Sequence, residues 1–190
     1  MDPINLNWVA FVIHPQREKQ EKLKEEQFWS TFCYFNLPKN RVTIPADLER
    51  VNFRIWDYVN DEHLLLMMSR IKSINYLDLD ETDITNEGIN HLTQLNHIKE
   101  LRLKGIAAID DGCMQSLSKL KGLELLHLGG TSVTLNGLTQ LGSLQNLRVL
   151  LLSLTASEEI REKMLELKKL LPGCEFIFNY KSYLFDPEAD

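Results

Sequence analysis

The chain has 190 residues, 44% of them hydrophobic, with 21 Lys and Arg against 27 Asp and Glu and a formal net charge of −6. That length fills one hydrophobic core, and a net acidic chain repels a phosphate backbone at long range, which argues against nucleic acid as a partner. Cys33, Cys113 and Cys174 are odd in number and lack CxxC spacing, so they exclude a disulfide framework or zinc knuckle and read as reduced, mostly buried thiols in a cytoplasmic compartment.

Residues 1–49 do not repeat and are expected to form an N-terminal cap. The opening has a short apolar run, residues 8–13, without the basic flank of a secretory signal or the Arg- and Ser-rich composition of a transit peptide. No stretch of about 18 apolar residues predicts a membrane span. Pro15 begins a charged segment in which Glu18 with Lys22, and Glu21 with Lys24 or Glu25, fall at helical spacing, as on a solvated helix. Its continuation through Phe28, Trp29, Phe32, Cys33 and Phe35 turns an apolar face inward, and Pro38 and Pro45 close it in a loop.

From residue 74 to 152 one pattern recurs. Ile74-x-x-Leu77-x-Leu79 returns from Ile98, from Leu123 and from Leu147, at offsets of 24, 25 and 24 residues. Each copy is followed by apolar residues at spacing three: Ile84, Ile89, Leu92 and Leu95, then Ile109, Met114, Leu117 and Leu120, then Val133, Leu138, Leu141 and Leu144. Alternation at spacing two followed by helical spacing predicts a strand and a helix per repeat. Counting back 24 from Leu77 and Leu79 places Phe53 and Ile55 inward, and the same step places Leu65, Met68 and Ile71 on a first helix. The repeats thus occupy residues 50–178, with a closing strand at Phe176 and Phe178 after a helix over 157–171, and residues 179–190 form a tail.

Thr85, Asp110 and Thr134 stand where helices begin and can cap them. Gly88 and Gly137 share one phase, with Cys113 in the middle repeat, and small residues there let the helix start close to the strand layer. Thr82, Thr131 and Thr155 stand after the strands, where a hydroxyl can satisfy backbone groups. The extra residue at Ile106-Ala107-Ala108 predicts a bulged loop.

These motifs resemble the leucine-rich repeat family, of the long-repeat, ribonuclease-inhibitor-like, cysteine-containing type. The resemblance implies an α/β fold: a right-handed solenoid with a parallel concave sheet, convex helices and the N-terminal segment as a helical cap. Ile109-Asp110-Asp111-Gly112-Cys113-Met114 with Leu117 and Leu120, the run 146–153 leading to Leu171-Pro172, and Phe28-Trp29 also resemble the coupling factor B (ATP synthase subunit s) type of small repeat protein. That likeness implies a scaffold or assembly role.

Residues alternating with the leucines are expected on the concave sheet. The first column reads Asn52, Tyr76, Glu100, Leu125, Val149; the second Arg54, Asp78, Arg102, His127, Leu151; the third Trp56, Asp80, Lys104, Gly129, Ser153. Arg54, Trp56, Tyr76, Asp78, Asp80, Glu100, Arg102, Lys104 and His127 are the candidate partner-binding residues, since Trp, Tyr and Arg commonly anchor interfaces. Tyr76 and Arg102 are expected to carry binding while leaving stability nearly unchanged. Leu125, Val149, Leu151 and Leu154 form an apolar patch, covered either by the tail, through Tyr180, Tyr183, Leu184 and Phe185, or by a partner.

The expected function is a non-enzymatic interaction module for a protein or peptide, without cofactor or metal. An assembly subunit of a larger complex is the alternative, and a metal- or nucleotide-dependent hydrolase using Asp78, Asp80 and Glu100 the third reading. The glycine-rich run 127–132 lacks the Lys and spacing of a phosphate loop, and the five histidines show no ligand spacing.

Overall fold

A computed structural model of the chain describes residues 15–39, 43–56, 58–153, 158–183 and 185. The apolar run 8–13, and Leu154, Thr155 and Leu184, lie outside the described residues. By its contacts the chain divides into two units, residues 1–39 and 40–190.

The first unit contains helix α1, Pro15–Asn36. Proline suits the first helical position, where an amide hydrogen has no partner anyway. Along the exposed part, Arg17 Nε bonds Glu21 Oε1 at 3.0 Å. Phe28, Trp29 and Phe32 are buried, and their rings meet at centroid distances of 5.0, 5.3 and 5.9 Å. Phe35, expected on the same apolar face, is instead 44% exposed and packs edge-on against exposed Tyr34 in the last turn.

The second unit is an α/β structure. Its strands are β1 Asp47–Asn52, β2 Ser73–Asp78, β3 His97–Arg102, β4 Leu125–His127, β5 Val149–Leu152, β6 Glu175–Phe178 and β7 Lys181–Ser182. They form one sheet in sequence order, parallel through β6, with β7 antiparallel to β6. Between them run α2 Asp61–Met68, α3 Asn86–Leu92, α4 Met114–Leu117, α5 Leu135–Leu138 and α6 Glu158–Leu170. Ile74, Leu77, Leu79, Ile98, Leu101, Leu103, Leu126, Leu150 and Phe176 are buried beneath the sheet. They meet buried helix residues such as Ile89, Leu92, Leu117, Leu141 and Leu167 in one continuous core. Cys113 and Cys174 belong to that core, and burial pushes both thiols up to about 12, leaving them protonated and unreactive.

Three expectations need correction. Val51, and not Phe53, pairs with Leu77, so the first repeat is longer than the period suggests. Leu48, Val51 and Phe53 are therefore the inward residues of β1 and its continuation, and Ile55 is 57% exposed. The loop after β1 contains Tyr58 in a left-handed conformation, φ 65°, and takes up the extra length. On α2 the buried residues are Leu64, Met67 and Met68, while Leu65 faces outward at 50% exposure. The third and fourth repeats hold no full helix: a 3-10 turn, Asp111–Cys113, precedes the single turn α4, and another, Thr139–Ser143, follows α5. Gly112, Gly137 and Gly142 disfavour helix there, and the tighter 3-10 turn spans the gap with fewer residues.

The caps stand where the sequence puts them. Thr85 accepts from Glu87 N, Asp110 from Gly112 N and Thr134 from Gly137 N. Thr82 and Thr131 donate their hydroxyls to Leu79 O and Leu128 O, both at 2.8 Å. What the sequence alone does not reveal is a ladder joining the caps. Asp61, first residue of α2, accepts from Thr85 N and Thr85 Oγ1 of the next repeat, and Asp111 does the same for Thr134 N and Oγ1. The glycine three residues past each of these threonines is therefore required for a different reason than expected. A Cβ on Gly88 would overlap Asp61 Oδ1, and one on Gly137 would overlap Asp111 Oδ1.

Gly88→Ala is accordingly expected to destabilise, although Ala in an open helix gains about 1 kcal/mol over Gly. Urea unfolding should show a net loss of about 1–3 kcal/mol, the usual cost of overpacking. Adding Asp61→Ala should recover part of it, because the clash disappears with the carboxylate. A stabilised Gly88→Ala protein would remove the ladder from the account.

Candidate functional site

Residues that alternate with the buried leucines lie on the open face of the sheet, and the register arranges them in rows. The first row is Arg50, Tyr76, Glu100, Leu125, Val149, Glu175; the second is Asn52, Asp78, Arg102, His127, Leu151, Ile177. The longer first step moves Asn52 beside Asp78 and brings Arg50, which the sequence columns omit, beside Tyr76. Arg54 lies past the strand end, with Nη2 3.7 Å from Glu81 Oε1. Trp56 is not in a row: its ring packs edge-on against core Phe53 at 5.0 Å.

The N-terminal half of the face is a hydrogen-bonded network. Tyr76 Oη donates to Asp78 Oδ2 at 3.1 Å, and the Arg50 guanidinium sits 3.9 Å over the Tyr76 ring. Burial and then the Asp78 charge and hydrogen bond push the Tyr76 phenol above its ordinary range, so it stays a donor. Asp80 is 1% exposed, yet each oxygen is satisfied: Arg102 Nε and Nη2 donate to Oδ2 at 3.2 and 3.0 Å, and Lys104 N donates to Oδ1 at 2.8 Å. Asp80 N in turn donates to Asp78 Oδ1 at 3.0 Å. Burial opposes the Arg102 charge, but the Asp80 hydrogen bond and charge outweigh it and raise its pKa.

His127, the next residue in the second row, is 4% exposed, and its Nδ1 has no hydrogen-bond partner among the described residues. Burial lowers its pKa, Asp80 and Asp78 oppose that, and Arg102 and Lys104 reinforce it, so the imidazole is held neutral. Gly129 follows because space is short: an added Cβ would lie 3.0 Å from both His127 Nε2 and Ser153 Oγ. Gly130, at φ 73°, leaves no room for a side chain against the Gly105 turn: an added Cβ would lie 3.3 Å from Gly105 Cα and N, and Gly105 N donates to Gly129 O. Those contacts account for the paired glycines as turn residues. The bulge at Ala107 and Ala108 opens a hollow of about 330 Å³ lined by Glu81–Ile84 and the Gly105–Ala108 turn.

The C-terminal half of the face is apolar. Leu125, Val149, Leu151 and Ile177 are register neighbours, each half-buried. The tail rings go elsewhere. Tyr183 packs on Phe178 at 5.3 Å and Phe185 on Phe176 at 5.8 Å, which are inward-phase residues of β6 aligned with Leu152 and Leu150. Tyr180 remains 75% exposed, with Lys104 Nζ 5.8 Å from its ring.

Of the sequence candidates, Tyr76, Asp78, Asp80, Arg102, Lys104 and His127 are brought together; Glu100 stands in the same row as Tyr76 and Leu125 without joining the network. Ile177 was missed, though its alternation with Phe176 and Phe178 gave the signal. Among the described residues no group of three His, Cys, Asp or Glu side chains could hold a metal ion, and no helix is long and apolar enough to cross a membrane. No model of a known protein family matches the chain, and no curated protein matches it.

Two outcomes follow from the network. Arg102→Ala would leave the Asp80 carboxylate buried without its cation, a cost of roughly 2–3 kcal/mol, the low end for a broken buried pair because the guanidinium is partly open to water. Arg102→Glu would cost more, so Arg102 carries stability as well as charge; thermal unfolding measures both. For His127 the folded pKa lies below that of the unfolded chain, about 6.5. The unfolded state then binds the proton first, and stability falls as pH drops through about 6.5 toward the lower folded value. Urea unfolding between pH 8 and 5 should show that slope in the wild type and a reduced one in His127→Gln. Identical slopes would mean the imidazole titrates normally.

Proposed function

We propose that the chain is a non-enzymatic protein-interaction module, a leucine-rich-repeat solenoid whose concave sheet holds a protein or peptide segment. The observation that carries this reading is the block of four aliphatic side chains, Leu125, Val149, Leu151 and Ile177, set in register on one face of the sheet and each left partly exposed. Such a patch on rigid strands is what a partner covers. The adjoining acids favour recognition over catalysis: Asp78 and Asp80 are committed to Tyr76, Arg102 and backbone amides and are closed to solvent. A carboxylate already saturated by donors is a poor general base.

Affinity capture from the native source's lysate, comparing wild type with Val149→Asp/Leu151→Asp, tests the reading. A partner retained by wild type should fall at least tenfold in recovery with the double variant, while its thermal unfolding remains cooperative. Equal recovery would move the binding surface off the sheet.

A further inference from the structure

The partner's chemistry can be narrowed, on the footing of the function just proposed. We infer that the open face takes a cationic amphipathic segment of a partner protein, its aliphatic side chains flanked on both sides by Lys or Arg, lying across the strands from Glu100 to Glu175.

The row order carries this. Glu100, Leu125, Val149 and Glu175 are consecutive register partners on β3, β4, β5 and β6, so two carboxylates bracket two aliphatic side chains. Leu151 and Ile177 widen the apolar strip in the next row. Glu100 makes no hydrogen bond or ion pair among the described residues: its row neighbours are Tyr76, already bonded to Asp78, and Leu125. Glu175 accepts from Ser182 Oγ at 2.5 Å, a neutral donor that leaves its charge in place.

The cations of the face are engaged elsewhere. Arg102 holds Asp80, Arg50 covers the Tyr76 ring, Arg54 stands by Glu81, and Lys104 lies over Tyr180. Whatever covers Leu125 and Val149 therefore strips water from Glu100. Removing a carboxylate from water without a counter-charge costs several kcal/mol, enough to cancel what covering the remaining exposed area of the partly buried Leu125 and Val149 returns. A purely apolar segment is disfavoured for that reason, and an acidic one or an anionic lipid surface more so. The partner has to bring the cation.

Spacing gives the geometry. Parallel neighbours lie about 4.8 Å apart, so three intervals separate the two glutamates by about 14 Å. A helix rising about 1.5 Å per residue covers most of that span between positions i and i+7, and long basic side chains reach the remainder while i+3 and i+4 face the aliphatic strip.

Selection of a random linear-peptide display library on the immobilised full chain tests this. Wild type should enrich sequences with Lys or Arg on both sides of an aliphatic pair. A synthetic peptide of that consensus should lose tenfold or more in affinity against Glu100→Lys/Glu175→Lys, lose less against Glu100→Gln, and bind the reversed variant again when its basic residues become Glu. Enrichment of acidic or uncharged sequences, indifference to charge reversal, or an empty selection would each overturn the inference. Peptides lost with Leu151→Asp but indifferent to charge reversal would leave the open-face binding role standing without its cationic partner. Peptides indifferent to both would sink the role as well. Thermal unfolding of each variant separates lost binding from lost fold.

Discussion

The ladder of backbone hydrogen bonds through β1 to β6 is the constraint on which the remaining features depend. Parallel strands pair at fixed spacing, so equivalent residues of successive repeats must lie side by side whatever the residue count between them. Here the count is not constant: the steps from Val51 to Leu77 and from Leu150 to Phe176, at the two ends, are longer than the steps through Leu101 and Leu126 between them. The loops absorb the difference, through left-handed Tyr58, the bulge at Ala107 and Ala108, and the 3-10 turns beside α4 and α5. Fixed strands with adjustable connections turn a sequence repeat into rows of side chains, and the open face is a consequence of those rows.

Within that face, burial and hydrogen bonding divide the residues into those committed to internal contacts and those without them. A carboxylate as enclosed as Asp80 is tolerable only because three donors converge on it, and two of them belong to Arg102. Arg102 and Asp78 are thereby committed as well. His127 stays neutral beside this network, and its ring closes the boundary between the polar half and the aliphatic half. Glu100 and the Leu125–Ile177 strip have no such internal obligations. Recognition is expected where side chains lack partners, and not where charge is densest.

The period and the leucine phases were legible because they depend on local alternation, which survives any loop length. Tyr76, Asp78, Asp80, Arg102 and His127 could be assigned to one face for the same reason. Their pairing could not be read. Whether Arg102 meets Asp80 or stands free depends on strand register and on which carboxylate is enclosed, and neither is encoded in spacing along one strand. The first repeat was misaligned because counting one period back from Leu77 and Leu79 reaches Phe53 and Ile55, two apolar residues that imitate the inward pair. Only the ladder, pairing Val51 with Leu77, separates them. The full helices expected in the third and fourth repeats failed where glycine made a helical period energetically weak.

A second ladder joins the helix starts of successive repeats, and its pattern follows the residue that opens each helix. Where the first helical residue is Asp, as at Asp61 and Asp111, the next repeat supplies Thr at the cap and Gly three residues later: Thr85 with Gly88, Thr134 with Gly137. Where it is Asn86, the next cap is Asp110, which accepts from Asn86 Nδ2 at 2.6 Å while Asn86 Oδ1 accepts from Asp110 N, and the glycine position becomes Cys113. The Asn86 amide and then the Gly112 N–H hold the Asp110 carboxyl below its usual range, so it is charged and ready to accept. Both solutions satisfy the amides at a helix start with groups from the neighbouring repeat, and they leave those edges little freedom to accept an outside ligand. The sheet face carries no such repeating demand, and so its residues are free to differ from row to row in the way a specific surface requires.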